Sequence, residues 1–238
     1  MYSFESRVRY SECDEDETLS VLGMIDYLQD CSTFHSNDVG QGIDVLKKEH
    51  LAWFISNWQI EIDCLPRFSD RIVVSTWAHG FTKVFGERNF AIRDLDGHDF
   101  VRADSLWFLF DSELGRPVRI TDDLSAPYLP CDQQLAMSPI ERRIAVEGAG
   151  RTGRIITVNE QHLDSNHHVN NAQYVQMALD AIERKRVIGQ LSVQYKRAAT
   201  LGDTIVPCVH DAADGLVIDL ADESGDSFAI VKLVAQAD

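Results

Sequence analysis

The sequence predicts an α+β protein built as a tandem repeat, each unit a curled antiparallel sheet wrapped around a central helix. Three observations predict it. A strand, a polar turn and a helix occur twice in that order, and each time a set of strand patterns separated by turn residues follows. The second helix, over 171–182, carries Tyr174, Val175, Ala178, Leu179, Ala181 and Ile182 and so leaves little polar face. Such a helix needs cover on nearly all sides, which a sheet provides only by bending around it.

The first copy opens with a strand over 6–10. It then passes through the acidic turn Asp14-Glu15-Asp16-Glu17 into a helix marked by Val21, Ile25, Leu28 and Ser32 at spacings of three and four. Gly40 and Gly42 end that helix, and 43–50 reads as a second short one with Asp44 near its start. Alternation sets strands over 53–62 and 71–77, joined through a 66–70 turn. Two more follow over 87–94 and 100–110, with Leu95-Asp96-Gly97-His98 as a tight hairpin. Residues 119–138 carry Asp122-Asp123, Pro127 and Pro130 without periodicity, and read as linker. The order then restarts, with a strand over 154–159, the helix over 171–182, and strands over 190–196, 204–210, 215–220 and 227–235. The expected domains are an N-terminal unit over 1–120, a linker over 121–145 and a C-terminal unit over 146–238.

The repeat can be tested residue by residue. Setting Asp16 on Asp164, an offset of 148, also sets Val21 on Val169 and Glu12 on Glu160. Farther on, Ile60-Glu61-Ile62 and 66–70 match Val193-Gln194-Tyr195 and 199–203 at an offset of 133. The first copy should therefore hold 15 extra residues between helix and sheet, in the stretch 40–50. Joining the two sheets edge to edge would hide strands that otherwise invite aggregation.

With 238 residues, 45% hydrophobic and 25% charged, the chain has an ordinary globular composition. No basic stretch followed by an apolar run opens it, and no run of about 18 apolar residues occurs, so neither secretion nor membrane insertion is expected. Cys13, Cys31, Cys64, Cys131 and Cys208 are odd in number and form no C-x-x-C pair, which points to a reducing cytoplasm. A net charge of -16 argues against nonspecific nucleic-acid binding, which relies on cationic side chains. Arg142, Arg143, Arg184, Lys185, Arg186, Lys196 and Arg197 nevertheless gather in the second half and are candidates for docking an acidic partner. Neither a phosphate-binding G-x-x-x-x-G-K-[ST], nor G-x-G-x-x-G, nor the G-x-S-x-G elbow is present.

The stretch Gln161-His162-Leu163-Asp164-Ser165-Asn166-His167-His168-Val169-Asn170-Asn171 crowds polar groups against the start of the second helix. Polar groups that lose their water there must be held by one another or by a substrate. Asp164-Ser165-Asn166-His167-His168-Val169-Asn170-Asn171-Ala172-Gln173-Tyr174 resembles the signature D-x-N-x-H-V-N-N-x-x-Y of the acyl-ACP thioesterase family. In the first copy, Trp53-Phe54-Ile55, Glu61-Ile62 and Pro66-Arg67-Phe68-Ser69-Asp70 are similar to a second stretch of that family. The order of elements and the wrapped helix are those of the hotdog fold, here a tandem double hotdog. By this resemblance the family's catalytic Asp, Asn and His fall on Asp164, Asn166 and His168. One departure stands out: plant members carry Glu-Cys where this chain has Ala198 and Ala199 after Tyr195-Lys196-Arg197.

Thioester hydrolysis needs a placed water or nucleophile, a base, and donors where the carbonyl oxygen becomes negative. Asp164 is the only carboxylate in the motif and suits a general base or water-orienting group, with direct nucleophilic attack as a second mode. His168 could polarise water or protonate the leaving thiolate, and Asn166 could hold water or carbonyl. Backbone N–H groups near Asn170 and Asn171, at the helix N-terminus, are candidates for oxyanion stabilisation. The competing reading makes Asp164 a helix cap and the side chains an exposed turn. His162 and His167 read as bystanders, Cys208 as core, and no ligand spacing supports a metal or other cofactor. Trp53, Phe54 and Trp58 are core aromatics or the lining of an acyl slot.

At the 148 offset, Asn166, His168 and Asn171 face Thr18, Ser20 and Gly23, so one active site is expected per chain, with acyl binding in the first unit. The resemblance implies a cytoplasmic enzyme of fatty acid biosynthesis that converts acyl-[acyl carrier protein] to free fatty acid and holo-carrier protein. Its partner is the acyl carrier protein, with a homodimer left open. Acyl-CoA hydrolysis and a noncatalytic acyl-binding or regulatory role on the same fold are the alternatives.

Overall fold

Strand β1 (Tyr2–Arg7) begins the first unit and pairs antiparallel with β3. A 3-10 turn (Tyr10–Glu12) and an irregular loop lead to helix α1 (Val21–Asp38), where the Ser20 hydroxyl accepts the Gly23 N–H at 3.0 Å and caps the first turn. Met24, Ile25, Leu28 and Cys31 are wholly buried on the face of α1 that meets β1 and β3. Helix α2 (Ile43–Lys48) precedes β2 (Leu51–Ile62), β3 (Arg71–Phe81), β4 (Gly86–Arg93), β5 (Asp99–Asp111) and the short β6 (Arg116–Val118). The sheet order is β1-β3-β4-β5-β2, with β6 on β5. Trp58, Ile60, Ile72, Val74, Phe90 and Ile92 form its core.

This computed structural model describes residues 1–182 and 187–236 and divides into two compact units, Met1–Pro139 and Ile140–Asp238. The segment that the sequence presents as linker begins with α3 (Asp122–Ser125) and a 3-10 turn (Ala126–Tyr128). Residues 132–138 then lie along the first unit as a strap. Trp77 Nε1 donates to the Gln133 carbonyl (2.9 Å), the Leu135 N–H to Asn89 Oδ1 (2.9 Å) and the Ser138 N–H to Glu61 Oε1 (2.8 Å). Its backbone partners are mostly side chains rather than a ladder, so no strand periodicity marks it in sequence.

In the second unit β7 (Arg151–Thr152) and β8 (Ile156–Thr157) replace a single first strand, and α4 (Asn171–Asp180) is the central helix. Strands β9 (Ile188–Tyr195), β10 (Thr204–Ala212), β11 (Gly215–Ala221) and β12 (Ser227–Ala235) complete the order β9-β12-β11-β10-β7, with β8 also on β10. Among the described residues, no helix is long and apolar enough to cross a membrane.

Several expectations need correction. The first strand is Tyr2–Arg7 rather than 6–10, because Tyr10 already belongs to the 3-10 turn. The short helix α2 stops at Lys48, where β2 takes over at Leu51. Helix α4 is not apolar all round. It buries Ala172, Tyr174, Val175, Met177 and Ala178, while Gln173 and Gln176 keep an outer edge and Gln176 Nε2 reaches Asp180 Oδ1 at 2.7 Å.

The loop register is also 150, not 148. The bridge Cys13↔Leu19 corresponds to Leu163↔Val169, the cap Ser20 to Asn170, and the positive-φ residue Glu17 to His167. The downstream offset of 133 fits the structure. Leu19 N–H donates to the Pro66 carbonyl as Val169 N–H does to Ala199, and Asp70 and Asp203 each accept the N–H three residues before them. The first copy thus holds 17 extra residues, the difference between 150 and 133.

Candidate active site

Between the 3-10 turn Glu160–His162 and helix α4 the chain reverses tightly, and Asp164 shapes the reversal. Its Oδ1 accepts the Asn166 N–H at 2.8 Å and the His168 N–H at 3.3 Å, while its own N–H donates to the His168 carbonyl at 2.8 Å. His167 closes the turn at φ 61°, a region a non-glycine residue enters only when its surroundings hold it there. Asp164, Asn166 and His168 are thereby gathered in one turn, with Asn166 exposed and the other two half-buried.

The first unit repeats this geometry with other side chains. Asp14 Oδ1 accepts the N–H groups of Asp16 (3.0 Å) and Thr18 (3.3 Å), and the Asp14 N–H donates to the Thr18 carbonyl at 2.8 Å. At the corrected register Asp14, Asp16 and Thr18 stand opposite Asp164, Asn166 and His168. The acid is common to both loops; the carboxamide and the imidazole are not.

Asn170 caps α4, its Oδ1 accepting the Ala172 N–H at 2.9 Å. Its own N–H goes to the His162 carbonyl at 2.8 Å, so it is committed within the loop, and Asn171 is the first residue of the helix. Two tyrosines that sequence reasoning left without a role lock this loop in place. The Tyr174 hydroxyl accepts the Ala199 N–H at 2.7 Å, and the Tyr195 hydroxyl donates to the Asn171 carbonyl at 3.0 Å, the two rings meeting edge to face at 5.9 Å. Burial pushes the Tyr174 phenol up to about 12 and the Tyr195 phenol well above its ordinary value, so both stay neutral. Tyr174 ends the D-x-N-x-H-V-N-N-x-x-Y pattern, which was the available signal. Ala199 is wholly buried and its N–H and carbonyl both hold the loop, whereas Ala198 is exposed.

His162 Nδ1 accepts the Asn159 N–H at 3.1 Å and so closes the preceding turn. In the first unit Trp58 is wholly buried, its ring 4.9 Å from Phe90, while half-buried Phe54 stacks on Phe108 at 5.9 Å. Trp53 is half-buried, and the Tyr128 hydroxyl hydrogen-bonds Ser36 Oγ at 3.0 Å. Among the basic candidates, Arg142 and Arg143 are exposed. Lys196 Nζ donates to Ser227 Oγ at 3.3 Å, and Arg197 pairs with Asp222 while covering the Phe228 ring at 4.1 Å. Arg184, Lys185 and Arg186 lie outside the described residues. One group among the described residues, Asp94, Asp96 and His98, brings metal-ligating atoms within 4.8 Å, on a hairpin whose turn Asp94 shapes by accepting the Asp96 and His98 N–H groups.

Residues 1–128 match the family model "Acyl-ACP thioesterase N-terminal domain" and residues 151–231 match "Acyl-ACP thioesterase C-terminal domain". The chain is 24% identical over 218 residues to oleoyl-acyl carrier protein thioesterase 2 of Arabidopsis thaliana, covering 83% of this chain and 59% of that protein. It is 26% identical over 212 residues to an acyl-[acyl-carrier-protein] hydrolase of Cuphea viscosissima, covering 80% and 50%. The chain thus spans only part of the length of these curated relatives. In fold it resembles the crystal structure of an acyl-ACP thioesterase from Bacteroides thetaiotaomicron, with TM-score 0.89, 22% identity and coverage of 98% and 97%. It also resembles the 12:0-ACP thioesterase from Umbellularia californica, with TM-score 0.83, 19% identity and coverage of 99% and 98%.

Proposed function

The chain belongs to the acyl-ACP thioesterase family, and from that premise we propose that it hydrolyses fatty acyl-[acyl carrier protein] to free fatty acid and holo-carrier protein. The observation that carries this reading is that the Asp-held turn at the entrance to α4 gathers Asn166 and His168 beside Asp164, where the same turn of the first unit has Asp16 and Thr18. In hydrolysis, water adds to the thioester carbonyl carbon, the C–S bond breaks and the leaving thiolate takes up a proton. The second carboxylate oxygen of Asp164 accepts no hydrogen bond among the described residues, which leaves it for the attacking water. His168 transfers the proton and Asn166 orients water or carbonyl. Asn171, at the first helical position, offers its N–H toward the oxyanion, and Asn170 serves as cap.

The acyl chain lies in the first unit, where Trp53, Phe54 and Trp58 supply apolar surface. Of the cations proposed to meet an acidic carrier protein, exposed Arg143 is the better placed, since Lys196 and Arg197 are engaged by their own hairpin. A reducing cytoplasm suits its five unpaired thiols. Acyl-CoA is the second reading, favoured by the net charge of -16, which opposes an acidic partner at long range. Matched acyl-ACP and acyl-CoA substrates decide between them. The expected result is a higher kcat/KM for the carrier-protein ester, and a strong preference for the CoA ester would overturn it.

A further inference from the structure

A cation is buried in the first unit. Arg88 is only 8% exposed, and no carboxylate lies within ion-pair distance of it among the described residues. Its Nη1 donates to His35 Nδ1 at 2.9 Å and to Thr76 Oγ1 at 3.1 Å, and its Cζ stands 5.2 Å from the Tyr128 ring. The hydrogen bonds of this guanidinium are made by Nη1 alone, leaving Nε and Nη2 without acceptors among the described residues.

None of the neighbouring groups supplies a negative charge. Burial and the Arg88 charge hold His35 down at about 4, so it stays a neutral acceptor, while burial raises both the Cys31 thiol and the Tyr128 phenol. A buried cation without a counter-ion is costly, and an anion that enters removes that cost.

A second, independent observation lies on the same row of the sheet. Arg88 and Trp58 are both cross-strand partners of Ser105, on its two sides. The Trp58 indole Nε1 is buried and has no hydrogen-bond partner, although the side chain is wholly enclosed. The Ser105 hydroxyl between them donates to the Arg88 carbonyl and accepts the Trp107 indole N–H rather than that of Trp58. One row thus presents a buried guanidinium without a carboxylate partner and an orphaned indole N–H. Beside it stand the aromatic rings of Tyr128 and Phe81, with centroids 6.1 Å apart.

We propose that the interior of the first unit binds a carboxylate borne on a hydrocarbon chain, with Arg88 as its counter-ion and Trp58 Nε1 as a further donor in the same row. This rests on the acyl-binding role given to that unit above. Two sources share the chemistry: the head group of a free long-chain fatty acid, and a carboxyl at the far end of a bound acyl chain.

The test begins with calorimetric titration of the full chain with dodecanoate and with dodecanol. Dodecanoate should bind at least tenfold more tightly. Arg88→Met should abolish that preference without changing dodecanol binding, and Arg88→Lys should retain part of it. Should Arg88→Met fail to fold, Trp58→Phe, which removes the indole donor along with some apolar volume, should reduce the acid-over-alcohol ratio, because the lost volume weakens acid and alcohol alike. Equal affinity of the wild-type chain for acid and alcohol overturns the proposal.

A parallel arm compares hydrolysis of dodecanoyl and ω-carboxydodecanoyl thioesters. Faster turnover of the ω-carboxy ester, lost in Arg88→Met, assigns the site to the chain end. Dodecanoate binding without that rate difference assigns it to the head group. Binding is read without turnover, so an inactive chain that still selects dodecanoate contradicts the thioesterase reading and leaves this site standing.

Discussion

Asp164 and Asp14 each hold two backbone N–H groups of their own loop through one carboxylate oxygen, although only one of the loops also carries Asn and His. The shared acid therefore has a structural task, and any catalytic task is added to it. Asp164→Ala and Asp14→Ala should each lower the free energy of urea unfolding by about 1 kcal/mol. Only the first should reduce thioesterase turnover. A half-buried acid on α1 gives a second prediction. Desolvation, with Asp30 and Glu12 nearby, raises Asp26 from 3.8 to about 6. A raised acid binds more protons folded than unfolded between those two values, so its contribution to stability falls as pH rises through that window. At the equivalent place the second unit has Gln176, which bonds Asp180. Asp26→Gln should raise the thermal midpoint at pH 7 and leave it nearly unchanged at pH 3.5.

The loop–helix element around α4 was legible in sequence because its determinants are local: the Asx turn, the Asn cap and the tyrosine three residues into the helix all fall within one motif. Asn170→Ala should cost about 1 kcal/mol of stability through loss of the cap. Tyr174→Phe leaves the buried Ala199 N–H without its acceptor. It should lower kcat more than it raises KM, because the loop that carries His168 loses one of its anchors. A variant with unchanged kcat would assign Tyr174 to packing alone. What sequence could not show was tertiary. The strap over 132–138 satisfies its backbone through Asn89 and Glu61 side chains, and Trp77 in turn donates to its Gln133 carbonyl. None of these partners leaves a local pattern. The two-residue error in the loop register arose because Asp16 and Asp14 are both acids in one acidic run. Only the bridges and caps distinguish which of them shapes the turn.

Across the whole molecule the repeat explains why a single active site is proposed. Both units keep the turn, the capped helix and the antiparallel sheet, so the scaffold does not require Asn166 and His168. The first unit instead carries the larger helix, the 17-residue insertion and the aromatic interior, which suits binding rather than bond cleavage. With a net charge of -16, association with an acidic carrier protein gains little from long-range attraction. Added salt should therefore lower KM for acyl-ACP by screening the repulsion between the two acidic partners; a KM that rises with salt, and no longer does so in Arg143→Ala, would show that local cations dominate instead. The most direct test follows release of holo-carrier protein thiol from acyl-ACP by the wild-type chain, His168→Ala and the first-unit counterpart Thr18→Ala. The wild-type chain and Thr18→Ala should turn over alike, with His168→Ala slower by roughly a hundredfold or more. Undiminished turnover in His168→Ala, or an equal loss in Thr18→Ala, would contradict a single active site in the second unit.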